Sequence, residues 1–154
     1  MSRNKVPITA QIMFVKDNKI LLLKRCNTGY EDGKYSFPGG HVEKAEEVTN
    51  AAIREAKEEI GVEINSNDIS VVHVLNRRVG DDAYVDFIFK TSKWTGDIEI
   101  KEKDKCDEII WADINNLPKN TLPFIKETLT RKSFYIPYNW EGEIKNDKKD
   151  WSMD

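Results

Sequence analysis

Between Gly40 and Val62 the chain runs GHVEKAEEVTNAAIREAKEEIGV. From about Glu47 to Ile60 this stretch predicts a long helix, and Gly61 follows where a left-handed residue ends a helix at least cost. On that helix Glu55 precedes Glu58 by three positions and Glu59 by four, so three carboxylates share one narrow arc. Ala52, Ile53, Ala56 and Ile60 lie on an adjacent arc and supply a buried side, with alanines that allow close approach to a sheet. Like charges at these spacings destabilise a helix by roughly 0.2–0.5 kcal/mol per pair. A cation bound between them reverses the sign. Mg²⁺ takes oxygen ligands and usually keeps waters and substrate phosphates in its shell, which suits three carboxylates on one face. A run of glutamates is ordinarily just a solvated face, so the weight falls on the residues around it.

Those residues have a fixed spacing. Gly40, Glu46, Arg54, Glu55, Glu58, Glu59 and Gly61, with apolar Val62, follow the pattern G-x5-E-x7-R-E-U-x-E-E-x-G-U, where U is apolar and Ala56 fills the first U. Seven fixed residues at roughly 6–7% background each would coincide by chance at about one start position in a hundred million. The pattern resembles the signature of the Nudix hydrolase family. Phe37-Pro38-Gly39-Gly40 looks like the loop ahead of the helix in that family, and Trp111 followed by Leu117-Pro118 looks like its late strand and turn. The resemblance covers about residues 8–131.

It implies an α/β/α sandwich with a mixed sheet. It also implies Mg²⁺-dependent cleavage of a phosphoanhydride bond in a nucleotide, with Mn²⁺ as a substitute ion. By position, Glu55, Glu58 and Glu59 correspond to the metal-binding glutamates, and the Gly39 carbonyl to a backbone ligand. Arg54 corresponds to the arginine that orients the carboxylates, and Glu46 to the structural acid. Metal ions neutralise the phosphates and acidify a water; a carboxylate must then take its proton. Glu58 and Glu59 are both candidates. A glutamate on a later loop often joins them in the family, and Glu108 is the first choice, with Asp107 and Glu102 behind it. Arg25, at the end of a strand, reads either as a solvated arginine or, as the resemblance implies, as one that reaches substrate phosphate; Phe37, with Tyr30 and Tyr35, reads either as packing beside the glycine loop or as a stack for a base. His41 and His73 are too far apart in sequence to form a metal motif by spacing and are read as structural.

The rest of the chain reads as a mixed α/β fold. Strands are expected over residues 8–15 and 20–23, joined at Asp17-Asn18 as a hairpin, and over 69–76 and 84–89, joined through Gly80-Asp81-Asp82. A short strand is expected over 109–111. A second helix is expected over about 123–131, entered through Asn120 or Thr121 with Pro123 in its first turn. The aromatic segment with Phe134, Tyr135, Tyr138 and Trp140 is expected to pack back on the body, and residues 145–154 to fray. The 154 residues fit one domain, with its core at about 6–132.

A net charge of −3, with basic runs no longer than Arg77-Arg78 and Lys148-Lys149, gives no stripe for a duplex or long RNA. No apolar stretch is long enough to span a bilayer. The two cysteines, Cys26 and Cys106, suggest no disulfide framework and fit a reducing cytoplasm. The partner expected is a small nucleotide, and a homodimer is compatible with the family. Its markers for ADP-ribose, coenzyme A and dinucleoside polyphosphates are missing or partial here: Asn76–Gly80 carries no proline, Leu21–Cys26 fits the coenzyme A pattern only in part, and position 79 is Val79. A nucleoside triphosphate, normal or oxidised, is the default, with a nucleoside-diphosphate sugar or dinucleotide as the alternative. A non-catalytic nucleotide sensor is the competing class, but such modules usually lose box glutamates and this chain keeps them all.

Overall fold

The computed structural model describes residues 2–140, so the tail expected to fray lies outside the described residues. Strand β1 (Ile8–Lys16) organises the molecule. Its alternate residues serve two cores, as the period of a strand requires. Ala10, Ile12 and Phe14 pack with Ala51, Ala52, Ala56 and Ile60 of helix α1 (Val48–Ile60). Met13 packs on the other face with Phe124 and Ile125 of helix α2 (Pro123–Thr130). Strand β2 (Lys19–Arg25) divides the same way, with Leu21 and Leu23 toward α1 and Ile20 and Leu22 toward α2.

Asp17 and Asn18 turn the chain between β1 and β2 with φ of 51° and 60°, a conformation these two residue types tolerate best after glycine. The hairpin pairs only Val15 with Ile20 and Lys16 with Lys19. Beyond that the strands part. β2 joins β3 (Tyr35–Ser36) and β7 (Cys106–Asp113), both antiparallel. β1 joins β4 (Gly39–His41) antiparallel and β6 (Asp82–Thr91) parallel. β5 (Ile69–Val79) pairs antiparallel with β6, and β8 (Tyr135–Tyr138) lies parallel to β5 at the edge. A mixed sheet between two helices is the α/β/α architecture expected.

Three expectations need adjustment. β5 and β6 run on to Val79 and Asp82, which leaves a turn of Gly80 and Asp81 only, with Gly80 at φ 61°. β7 begins at Cys106, three residues before the expected start. Helix α2 is capped by Leu122 without a side-chain bond, not by Asn120 or Thr121. The Asn120 carbonyl accepts from Tyr35 N at 3.0 Å and Leu122 N donates to the Tyr35 carbonyl at 3.0 Å. That stretch is therefore held alongside β3, and Pro123 starts the helix with its fixed φ. The aromatic segment returns to the body as strand β8, but the residue it buries is Ile136, and Phe134, Tyr135 and Trp140 are exposed.

Candidate active site

Helix α1 starts on Glu47, whose carboxylate accepts from Thr49 N at 2.9 Å and Asn50 N at 3.1 Å. It ends on Gly61, at φ 74° with its N–H on the Lys57 carbonyl. Between these caps the glutamates face the glycine pair of β4. Gly39 has φ 150°, and a Cβ there would strike the Ala10 carbonyl oxygen and stand 2.6 Å from Gln11 Cα, so only glycine fits against β1. Its N–H donates to Glu59 Oε2 at 3.1 Å. A Cβ at Gly40 would stand 2.5–2.8 Å from the carboxylate atoms of Glu55. Both glycines thus let backbone approach carboxylate.

Arg54 holds the group together. Its Nε and Nη2 donate to the two Glu46 oxygens at 2.7 and 3.0 Å, a bidentate pair. Nη1 donates to Glu55 Oε1 and to Glu58 Oε2, each at 3.0 Å, and Nη2 also reaches the His41 carbonyl at 3.1 Å. The hydrogen bonds from Arg54 hold Glu46 below the usual carboxylate range, and those to Glu46 raise Arg54. Burial works the other way on Glu55 and Glu59. It pushes Glu55 up against the pull of Arg54, and it pushes Glu59 up to about 8, with the Glu55 charge adding to the shift and the Gly39 N–H opposing it.

Glu102 completes the group. Oxygens of Glu55, Glu58 and Glu102 all lie within 4.8 Å of one another. Glu99 N donates to the Ile60 carbonyl at 3.0 Å and Lys101 N to the Glu59 carbonyl at 2.9 Å, so the segment before Glu102 is tied to the end of α1. Glu102 in turn caps a tight turn, with its carbonyl accepting from Lys105 N and Cys106 N at 3.0 Å each. Carboxylates this close, with Arg54 bonded to two of them, fit a hard divalent cation that takes oxygen ligands, and they fit Mg²⁺.

Glu55, Glu58, Glu59 and Glu102 line a cleft of about 650 Å³. Arg25 and Phe37 line it too, as do Gly39 and Gly40. Arg25 is fixed by the Tyr30 carbonyl at 2.9 Å and Thr28 Oγ1 at 3.2 Å, and its guanidinium lies 5.6 Å from the Tyr30 ring centre. Glu108, the first choice for the later glutamate, stands apart from this lining. It accepts from the Tyr35 hydroxyl at 2.8 Å and faces Lys24 at 3.6 Å. Burial, and then Glu108, push that hydroxyl up to about 12. Asp107 is exposed. His41 contributes its carbonyl to Arg54, and His73 Nδ1 lies 2.9 Å from the Ser133 carbonyl. The cleft also takes Thr9, Gln11, Arg77 and Tyr84, which were not singled out as site residues. Arg77 lies on the same side of β5 as the buried Leu75, but beside Arg78 it reads as part of a surface basic pair.

Comparison with known proteins identifies the fold and the family. The chain is 38% identical over 104 residues to an ADP-ribose pyrophosphatase of Methanocaldococcus jannaschii; the match takes in 68% of this chain and spans 60% of that relative's length. It is 25% identical to an 8-oxo-dGTP diphosphatase of Escherichia coli, over 83% of this chain and 95% of the relative. In fold it is similar to a MutT NUDIX hydrolase from Burkholderia pseudomallei, with a TM-score of 0.75 at 23% identity, over 82% of this chain and 97% of that one. Among the described residues no helix is long and apolar enough to cross a membrane. The NUDIX domain model matches residues 6–132, and the chain belongs to the Nudix hydrolase family.

Proposed function

We propose that the protein is a Mg²⁺-dependent pyrophosphohydrolase that cuts a nucleoside triphosphate between its α and β phosphates, releasing monophosphate and pyrophosphate. The observation that carries this reading is the carboxylate group assembled by Arg54 in the wall of a cleft large enough for a nucleotide. Glu55, Glu58 and Glu102, with the Gly39 carbonyl, would hold the cation. When bound it supplies charge neutralisation on the phosphate oxygens and acidifies a water. Arg54 fixes the orientation of Glu55 and Glu58, so little side-chain freedom is lost on binding. Glu59 has Oε2 tied to the Gly39 N–H; a cation bound beside Glu55 would favour the ionised form of Glu59, and Oε1 would then take the proton of the attacking water. Arg25 offers its guanidinium to phosphate oxygens, and Phe37 forms an apolar wall. Glu102, and not Glu108, is the later glutamate in this scheme, because it shares the carboxylate group with Glu55 and Glu58. The chain's two free thiols fit a reducing compartment.

The relative at 38% identity, an ADP-ribose pyrophosphatase, favours a second reading in which the substrate is a nucleoside diphosphate linked to a sugar. Product chemistry separates the two. A triphosphate releases pyrophosphate, which inorganic pyrophosphatase converts into a phosphate signal. A sugar-linked diphosphate yields two phosphomonoesters, which only a broad phosphatase reveals. A signal that ignores pyrophosphatase across a panel of both substrate classes overturns the triphosphate reading. Turnover that survives excess chelator overturns the metal-dependent scheme itself.

A further inference from the structure

We propose that Arg77, fixed by the buried carboxylate of Asp86, reads the base of the substrate, and that it selects an unoxidised guanine through the acceptor pair O6 and N7. The inference rests on the cleft being a nucleotide site, but not on which phosphoanhydride is cut.

Asp86 is fully buried and Arg77 is 8% exposed. Arg77 Nε donates to Asp86 Oδ2 at 2.6 Å and Nη2 to Oδ1 at 3.1 Å. Thr9 Oγ1 donates to Oδ1 at 2.7 Å, and the Gln11 amide lies 3.2 Å from Thr9 Oγ1 and 3.5 Å from Oδ1. The guanidinium is flanked by the rings of Tyr84, at 4.8 Å, and Phe124, at 5.3 Å. A planar fork held along one edge and braced by two rings has one orientation. A buried ion pair adds little to stability over an apolar pair of the same size, so this degree of fixation calls for another explanation.

Its position supplies one. Gly39 pairs with Gln11 on β1, Thr9 with Asp86 on β6, and Tyr84 with Arg77 on β5. Arg77 thus stands three strands across and four residues along from the glycine beside the carboxylates, roughly 14 Å by 13 Å at the usual strand spacing and rise. With phosphates at the carboxylates, a base would fall at this end. The Nε–Nη2 edge of Arg77 is spent on Asp86, no bond to Asp86 uses Nη1, and the residue lines the cleft. The side chain of Tyr30, on an exposed loop, also hydrogen-bonds to Arg77, and a base at this fork would take the place of that exposed partner.

The choice of ligand follows from charge and donor pattern. The Asp86 carboxylate already balances the Arg77 charge, which favours a neutral pair of acceptors over another anion. Guanine presents O6 and N7 side by side, the pair that an arginine fork meets with two hydrogen bonds. Adenine places the N6 donor beside N7, so donor would face donor. Oxidation at C8 puts a hydrogen on N7 and removes one of the two acceptors.

The test uses monophosphates as ligands, so that binding is read without turnover. Calorimetry on the whole protein would compare GMP with AMP, 7-deaza-GMP and 8-oxo-GMP. GMP should bind about tenfold or more tightly than each of the other three. Guanosine and adenosine substrates would also be compared as triphosphates and as sugar-linked diphosphates, with the ratio taken within each pair. Whichever class is cut, guanosine should win about tenfold in kcat/KM, mostly through KM. Arg77→Lys should shrink that ratio to about threefold or less. Equal binding of GMP and 7-deaza-GMP overturns the proposal without need of a variant. So does a guanosine preference that Arg77→Lys leaves unchanged.

Discussion

Gly40→Ala isolates the geometry of Glu55 from everything else the box does. Gly40 lies in strand β4 and is not among the glycines with positive φ, so alanine suits its backbone. The added Cβ, however, would lie 2.5 Å from Glu55 Oε1, 2.6 Å from Cδ and 2.8 Å from Oε2. Ordinary contact is about 3.5 Å, so the carboxylate must retreat by about 0.7–1 Å. Glu55 cannot absorb this freely: it is 9% exposed, and Oε1 is held by Arg54 at 3.0 Å. A displacement of ~1 Å at a catalytic group costs on the order of 10²-fold in rate. Folding should suffer far less. Alanine restricts the unfolded chain by about 0.4–1 kcal/mol in favour of the native state, which offsets part of a strained or lost hydrogen bond of about 1–3 kcal/mol. Steady-state kinetics with Mg²⁺ should therefore show kcat/KM down about 10²-fold. A metal-free melt should move by only a few degrees. Wild-type kcat/KM in a folded Gly40→Ala protein would refute the reasoning, because it would mean that the Glu55 carboxylate has no required position.

Other variants and conditions separate the site from the fold. Gly80→Ala meets open space but sits at φ 61°, so it should lose about 1–2 kcal/mol in a denaturant melt with kcat unchanged. Glu59→Gln should lower kcat by about 10²–10⁴-fold, while the metal-free melting temperature stays level or rises as repulsion from Glu55 is relieved. Glu102→Gln should weaken the Mg²⁺ dependence of kcat by about tenfold or more, and Glu108→Gln by less than about threefold. Without metal, stability should rise as pH falls from 9 to 6. Glu59, at about 8 against 4.5 unfolded, favours the native state most below 4.5, and that contribution is lost as pH rises through 8. Below about 4.5 the trend should reverse, because Glu46, Glu47 and Asp32 are held low by Arg54, the Thr49 N–H and Thr28 respectively. A flat melt between pH 6 and 9, or one whose slope Glu59→Gln leaves unchanged, would contradict this.

Much of the fold was legible because it rests on short-range rules. Helix α1 could be bounded from Glu47 and Gly61, and both serve as its caps. The Asp17-Asn18 turn was visible from residue type alone. The strand ends were less legible. β5 and β6 extend past the expected limits because each stabilises the other through pairing up to Val79 and Asp82, where neither segment is apolar enough to announce itself. The short β8 is a strand only because β5 offers it an edge.

The site divides along the same line. Residues in the box stand at fixed offsets on one helix, so their mutual placement follows from helix geometry. Glu102 does not, because its place depends on the Ile60 and Glu59 carbonyls. These lie at the end of a helix, lack partners within it, and accept from Glu99 and Lys101. Counting back along a strand from Trp111 points instead to Glu108, and the pairing of β2 with β7 explains why that count misleads. Glu108 pairs with Lys24, and the register shifts before Arg25 meets Cys106. Glu108 is thereby turned to Tyr35 and Lys24, while the chain beyond the irregularity swings toward α1. Arg77 was hidden for a different reason. Next to Arg78 it reads as a surface basic pair, and only its partner Asp86, nine positions along on the neighbouring strand, turns it inward. A charged residue in a strand is judged by what stands across from it, and that is decided by register, which a single sequence shows only where a turn fixes it.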